Sequence, residues 1–340
     1  MRSIVYTDNG PVSVLRLVER EPDPVGPGEV RVRVVVSGVN PTDWKTRSGA
    51  TGHADGLSVP NQDGAGVVEE VGPGVTGLAP GDRVWLALSA WQRPLGGTAQ
   101  ELTVLPADRV HPLPDAAGFD VGASLGVPAL TAHRALTVAE GLPARLAPGS
   151  LAGATVLVAG GAGAVGHAAI QLARWAGATV VATTSGPEKA ALATAAGAQH
   201  VVNYREGDAA DRIRGLAPEG VDAIVEVAAG ANAELDRAVL RPGGAISIYA
   251  NDGGAPFALD VRAYMTANAR LQFVLLYTVP RPALAAGVED VTAAVASLPV
   301  GEAAGLPLHR FPLERTADAH AAVEAGTVGK VLVDVAAAEG

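Results

Sequence analysis

Cysteine is missing from the 340-residue chain. That absence excludes disulfides, thiolate-held metal sites and any thiol nucleophile. No uninterrupted run of about 18 strongly apolar residues occurs, and no charged-then-apolar leader opens the chain. Neither a membrane span nor a secretory signal is therefore expected. Basic runs are absent as well, and the formal net charge is -10. This argues against nucleic acid or an acidic membrane as partner. A soluble, cytoplasmic protein is the expectation. Lysine is nearly absent: Lys45, Lys189 and Lys330 stand against 22 arginines. Arginine thus carries the generic positive charge, and each lysine becomes a candidate for a position that needs a compact ammonium.

What is present is an apolar, glycine-rich chain. Apolar residues make up 48%, charged residues 18%, and glycines number 42. A chain of this length fits two domains with a sizeable core. Its organising stretch is Thr155 to Gly166. Thr155 to Val158 reads as a buried parallel strand. Gly161-x-Gly163-x-x-Gly166 follows. Val165, Ala168, Ala169, Leu172, Ala173 and Ala176 then fall at helical spacing. Strand, glycine turn and helix together present backbone N–H groups and a positive helix end to a pyrophosphate. Gly161 permits the tight turn, Gly163 lets the phosphate approach, and Gly166 lets the helix lie close to the strand. Ala164 and Val165 belong to the same amide-lined mouth. The bland reading is an ordinary glycine-rich strand-to-helix turn.

Before this stretch the chain alternates in the manner of strands. Val12–Leu17, Glu29–Val36, Arg83–Leu86 and Gly97–Val104 are predicted strands, separated by Gly/Pro turns. A short helix is predicted from near Pro41. The density of short strands suggests a compact β-barrel-like domain. From about Ala123 the rhythm changes to βαβ units, with strands near Thr155, Thr179, His200, Val221 and Ala245 and a doubly wound parallel sheet. Beyond Val261 the predicted elements are a strand over 271–277, helices over 288–298 and 316–325, and a last strand over 328–335. This tail either returns to the first domain or extends the sheet.

Several motifs, in this order, resemble the medium-chain dehydrogenase/reductase superfamily in its zinc-independent quinone oxidoreductase and alkenal/enone reductase branch. They are Asn40-Pro41-Thr42-Asp43-Trp44-Lys45, Asp63-Gly64-Ala65-Gly66-Val67-Val68, Gly81-Asp82-Arg83-Val84, Pro128-Ala129-Leu130-Thr131-Ala132, the glycine turn, Asn203-Tyr204-Arg205-Glu206 and Gly329-Lys330-Val331. The resemblance implies a GroES-like β-barrel catalytic domain split around a Rossmann domain, with NADPH in the cleft between them and a homodimeric assembly. The corresponding boundaries are 1–124, 125–265 and a return over 266–340. Zinc-containing relatives carry Cys-His-Thr-Asp where this chain has Asn40 to Asp43, and Gly-His-Glu where it has Asn61-Gln62-Asp63. Asn and Gln are not usual zinc ligands. The seven histidines show no paired helical spacing, and each reads as a surface or core-rim residue. No metal is expected.

An NAD site usually places an acid about 20 residues past the glycine turn. The matching strand end here reads Thr184-Ser185, with hydroxyls and no acid, and Lys189 follows one turn into the next helix. Tyr204 matches a family position that contacts the 2′-phosphate, Lys330 a C-terminal position near the cofactor, and Tyr249 completes the expected set. NADPH is the expected cofactor. Hydride addition to an enone or quinone places negative charge on the acceptor oxygen, and a fixed cation there lowers the barrier. Lys45 is the candidate, where many quinone reductases of the family carry Tyr; by the resemblance it instead contacts the nicotinamide ribose in some relatives. Asn40 and Thr131 match positions near the nicotinamide. Asp43 is expected to support the site, or only to pair with Arg47 at i, i+4. The acceptor is a small molecule, a quinone or an enal/enone. Two alternatives stay open: an enoyl-thioester reductase of the same fold, and a non-catalytic NADPH-binding sensor. Loops 47–60, 88–96 and 250–280 are expected to hold the specificity residues.

Overall fold

The computed structural model describes residues 1–51, 56–254, 256–298 and 301–336. Parts of two loops expected to set specificity, 52–55 and 255, lie outside the described residues. The first elements are β1 (Arg2–Val5), β2 (Arg16–Glu19), β3 (Glu29–Val39), α1 (Pro41–Ser48), β4 (Asp63–Val71), β5 (Arg83–Leu86), β6 (Leu102–Pro106) and β7 (Val110–Pro112). Then come α2 (Phe119–Thr137), β8 (Thr155–Val158), α3 (Ala164–Trp175), β9 (Thr179–Thr184), α4 (Pro187–Ala195), β10 (His200–Asn203), α5 (Ala209–Leu216) and β11 (Val221–Glu226). The last are α6 (Ala229–Val239), β12 (Leu240–Ile248), α7 (Val261–Thr266), β13 (Arg270–Phe273), α8 (Arg281–Val295), β14 (Leu308–Pro312), α9 (Thr316–Glu324) and β15 (Lys330–Asp334). Two compact units result: Met1–Val127 with Pro307–Gly340, and Pro128–Leu306.

The first unit is built on β3. Val30, Val32 and Val34 point inward and are fully buried, while Arg31 and Arg33 alternate outward, the period-2 signature of a strand with one covered face. β3 pairs antiparallel with β4, β6 and β15. The sheet order is β14-β15-β3-β4-β5-β7, with β6 also on β3. Register shifts between β3 and β4 curve this sheet around its aliphatic core. Gly66 is obligatory there, since a Cβ would stand 2.0 Å from the Arg33 carbonyl oxygen. One predicted strand is corrected. Val12–Val14 is a single 3-10 turn, because Pro11 fixes the chain direction and Leu15 N–H closes back on the Val12 carbonyl. The strand begins only at Arg16.

The second unit holds six parallel strands in the order β10-β9-β8-β11-β12-β13. Numbered within the unit this is the doubly wound order whose switch point falls between β8 and β11. Val156, Leu157, Val158, Val180, Val181 and Ile224 are almost wholly buried, as strands covered on both faces require. The chain does not return to the first unit at 266. β13 finds ladder partners on β12, from Ala245↔Arg270 to Ile248↔Phe273, and extends the sheet. Only β14 and β15 rejoin the first unit, so the return begins at 307. The expected strand over 271–277 is correspondingly shorter, and Leu276–Thr278 forms a 3-10 turn. Among the described residues no helix is long and apolar enough to cross a membrane.

Candidate functional site

In the second unit the glycine turn lies at the C-terminal end of β8. Gly161 N–H donates to the Thr183 carbonyl at 3.1 Å, and Gly163 N–H to that of Gly160 at 3.0 Å. Steric need differs along the turn. A Cβ on Gly161 would meet the Ala182 Cβ at 2.9 Å, and one on Gly166 the Gly160 carbonyl oxygen at 2.4 Å. A Cβ on Gly163 meets only the Gly160 oxygen, at 3.5 Å. Gly161 and Gly166 are therefore required by packing, whereas a Cβ on Gly163 would sit in ordinary van der Waals contact. Gly163 is the N-cap of α3 and offers no capping side chain. The first amide with a helical acceptor is that of His167, bonded to Gly163 O at 2.7 Å. The amides of Ala164, Val165 and Gly166 precede it and have no acceptor within the helix. With the helix dipole behind them they form an anion seat.

Neighbouring strand ends complete this edge. Thr184 ends β9 and is 2% exposed, and its hydroxyl has no hydrogen-bond partner. Ser185 is half-buried. Tyr204 N–H donates to the Thr184 carbonyl at 3.1 Å, which ties the β10 end to the β9 end, and the Tyr204 ring is 49% exposed. Lys189 is exposed on the first turn of α4. Tyr249 follows β12, its N–H on the Glu226 carbonyl at 3.1 Å; burial, then Asp252 and Glu226, push its phenol well above the usual range. Among the described residues the β9 end, Thr183 to Gly186, carries no carboxylate. These residues fit a dinucleotide carrying an extra phosphate: open amides for the diphosphate, hydroxyls and an ammonium for the second charge.

The expected catalytic residues divide between the units. Thr131 lies on α2 in the second unit and is 6% exposed. Asn40, Asp43, Lys45 and Lys330 lie in the first. Asn40 caps α1 through a reciprocal capping box, with its own N–H on Asp43 Oδ2 at 2.7 Å. Asp43 Oδ1 also accepts from Gln62 N–H at 3.1 Å. Burial, then the nearby Asp63, push the Asp43 carboxyl up to about 8, against the pull of the Asn40 amide, Lys330 and the Gln62 amide. The anticipated Asp43–Arg47 pair does not form. Arg47, 1% exposed, donates instead to the Gly10 carbonyl at 3.1 Å and to Glu324 at 2.7 Å. The reason is geometric: both Asp43 oxygens are already held by backbone amides, Oδ2 by Asn40 and Oδ1 by Gln62.

Lys330, expected near the cofactor, lies beside Asn40 in the first unit. It is 1% exposed, and its Nζ donates to Asn40 Oδ1 at 2.7 Å and Asp63 Oδ2 at 3.1 Å. The ammonium points into the first unit. Lys45, by contrast, is half-buried on α1 with its Nζ 5.7 Å from the Trp44 ring centroid. Among the described residues no hydrogen bond or ion pair of its ammonium is found.

Asp63 is a candidate site residue that sequence reasoning passed over. In the sequence it opens the motif Asp63 to Val68 and ends Asn61-Gln62-Asp63, and neither setting gives it a role of its own. It is fully buried and accepts from Lys330, from Asn40 Nδ2 at 2.7 Å and from Val127 N–H at 2.8 Å. Three histidines are also more deeply set than expected. His133, His167 and His320 are at most 2% exposed, because each has a partner: Asp290, the Ala304 carbonyl and Asn61 respectively. Burial, then Arg47, push His320 down to about 3. Among the described residues no group of three or more His, Cys, Asp or Glu side chains is arranged to hold a metal.

Known proteins agree with this architecture. Residues 26–115 match the model of the alcohol dehydrogenase GroES-like domain, and 164–293 that of the zinc-binding dehydrogenase family. Quinone oxidoreductase of Lama guanicoe is 33% identical over 98% of this chain and 97% of its own length. A mycobacterial quinone oxidoreductase structure superposes with a TM-score of 0.82 at 30% identity, covering 98% of this chain and 99% of that one. The Escherichia coli quinone oxidoreductase complexed with NADPH gives a TM-score of 0.80 at 25% identity, over 98% and 100% of the two chains.

Proposed function

The chain belongs to the medium-chain dehydrogenases/reductases of the quinone oxidoreductase type and is an NADPH-dependent oxidoreductase; from that premise we propose a zinc-free reductase of quinones and of the activated C=C bond of α,β-unsaturated carbonyls. The observation that carries the acceptor side is Lys45. One face of α1 is pinned by Asn40, Asp43 and Arg47, and Lys45 projects from another with an ammonium that no anion engages among the described residues. A positive charge beside an acceptor oxygen stabilises the negative charge that grows there.

NADPH, when bound, supplies the hydride. The amides of Ala164, Val165 and Gly166 hold its diphosphate, and Thr184, Ser185, Lys189 and Tyr204 recognise its additional phosphate. Tyr249 lies at the neighbouring strand end and helps close the site to water. Asn40 and Asp43 act on the reaction through α1, by fixing the helix that carries Lys45, and Thr131 contributes a hydroxyl on the nicotinamide side. The zinc-free part of the reading is supported by donor chemistry. Asn40 and Asp63, at the two positions where zinc relatives carry their metal-binding motifs, are both engaged by the Lys330 ammonium. A metal would have to displace a buried cation.

A homodimer belongs to the same reading. β13 is an end strand of the parallel sheet, with open backbone groups along its outer edge. Around it Val261, Met265, Phe273 and Leu275 are each more than half exposed, an apolar strip suited to a second copy. Met265→Asp with Phe273→Asp should yield monomers in sedimentation; an unchanged dimer would place the contact elsewhere.

NADPH oxidation against a panel of quinones, enals, enones and enoyl thioesters, before and after dialysis with a chelator, tests the proposal. Turnover of quinones or enones that survives the chelator is expected. Turnover of enoyl thioesters alone, or loss of activity restored by zinc, would overturn it. Tight NADPH binding with no turnover would identify a sensor instead.

A further inference from the structure

We propose that Lys330 is a positioning residue, whose buried ammonium locks the Asn40 amide to the Asp63 carboxylate and so fixes the start of α1, the helix that presents Lys45. The inference rests on the reading of Lys45 as the acceptor-side cation, and it assigns Lys330 no contact with the cofactor.

Three hydrogen bonds close a small ring. Lys330 Nζ donates to Asn40 Oδ1 at 2.7 Å and Asp63 Oδ2 at 3.1 Å, and Asn40 Nδ2 donates to that same Asp63 oxygen at 2.7 Å. An ammonium has donors only. The Asn40 amide must therefore turn its oxygen to Lys330 and its nitrogen to Asp63, and no flipped arrangement satisfies both. The other Asp63 oxygen takes Val127 N–H at 2.8 Å. Asn40, Asp63 and Lys330 are each no more than 2% exposed, so water cannot replace a missing partner.

The backbone is shaped around the lysine. A Cβ on Gly38 would meet Lys330 Cε at 3.0 Å and the Ala123 carbonyl oxygen at 2.0 Å, and one on Gly126 would meet Asp63 Oδ1 at 2.2 Å. Gly329, at φ +109°, turns the chain into β15 just before Lys330, and Lys330 N–H anchors on the Pro307 carbonyl at 2.8 Å. Glycine at these points opens a slot for the extended four-carbon stem. Were Lys330 a phosphate ligand, its ammonium would have to leave Asp63 as an unpaired buried carboxylate, which is strongly unfavourable. As a lock it needs no such movement. It links the last strand of the chain to the cap of α1, and Asn40 N–H passes the constraint on to Asp43.

The test is backbone hydrogen exchange on the full chain in Lys330→Met and in Lys330→Met with Asp63→Asn, the second leaving no unpaired buried charge. Peptides spanning 40–48 should exchange at least about tenfold faster in both, while those spanning 155–175 stay as in the parent. The NADPH dissociation constant should change by less than about twofold, and kcat should fall at least about tenfold. Unchanged exchange over 40–48 overturns the proposal, as does a rise in the NADPH dissociation constant with kcat retained, the mark of a cofactor contact. Should the parent protein reduce no acceptor, the reductase reading falls by itself, and exchange with NADPH affinity still decides the role of Lys330.

Discussion

The two units present their functional groups in opposite ways. The second uses backbone: amides at the mouth of α3, with glycines whose value is the Cβ they lack. The first uses side chains drawn together from far apart, Lys330 reaching Asn40 across 290 positions of the chain. A backbone site is indifferent to most side-chain chemistry and intolerant of added volume. A buried charge network is the reverse: volume-conserving exchanges are tolerable, and deletion of one charge is not.

The largest effect should therefore come from the network. Asp63→Ala leaves the Lys330 ammonium, 1% exposed, facing only Asn40, and a buried pair broken on one side costs about 3–5 kcal/mol. Denaturant unfolding should register that loss. An effect below about 1 kcal/mol would mean that water or a neighbour compensates, and the contrast with the glycine turn would soften.

Next in size is the glycine turn. Gly166→Val drives a side chain into the Gly160 carbonyl, 2.4 Å from the first added carbon, and overpacking of this kind costs about 1–3 kcal/mol. NADPH binding should disappear with it. Gly163→Ala separates the two demands on the turn. Its Cβ meets nothing nearer than 3.5 Å, so the melting temperature should hold while NADPH affinity drops about tenfold or more, as expected if the phosphate needs that space. Equal losses in Gly163→Ala and Gly166→Val would remove the distinction between packing glycine and ligand glycine.

The same contrast explains how much could be read from the sequence. β8, the glycine turn and α3 are contiguous, so strand period, turn chemistry and helix period all lie within one window and agree. In the strand-rich first unit Gly/Pro turns and alternation are local signals too, but they misplace Val12–Val14 and the start of β6. The scarcity of lysine marked Lys45 and Lys330 as unusual, yet no local signal says what a lysine touches. Asp63 gains its meaning only from Lys330, and helical spacing offers Arg47 as one possible partner of Asp43 because Glu324 is distant in the chain. The domain return was placed at 266 for the same reason. The pairing of β13 with β12 is a tertiary fact, and the loss of βαβ rhythm after Val261 resembles the end of a domain.

A smaller effect tests the cap of α1. Asp43 has its carboxyl pushed up from 3.8 to about 8, chiefly by burial and then by Asp63. Between about pH 4 and 8 the folded protein thus binds a proton that the unfolded chain releases. Stability is helped at the acid end and falls as pH rises through that window. Asp43→Asn should flatten this slope, even though it weakens the cap overall. Unfolding free energies at pH 5 and 8 check it, and an equally steep slope in the variant would show that another group titrates.

The smallest expected effect belongs to Lys189. It is exposed on the first turn of α4, where a charge pair is worth little because water and salt screen it. A phosphate carrying close to two negative charges would strengthen the contact, but in the proposed site Thr184, Ser185 and Tyr204 would share the work through hydroxyls that survive the substitution. Lys189→Ala should therefore weaken NADPH about five- to tenfold and leave NADH almost unchanged, a difference of about 1 kcal/mol. The selectivity, not the absolute affinity, is the informative quantity. A loss shared equally by both nucleotides would place Lys189 near the common diphosphate, and the second unit would then depend on a side chain at the point where backbone alone is expected to suffice.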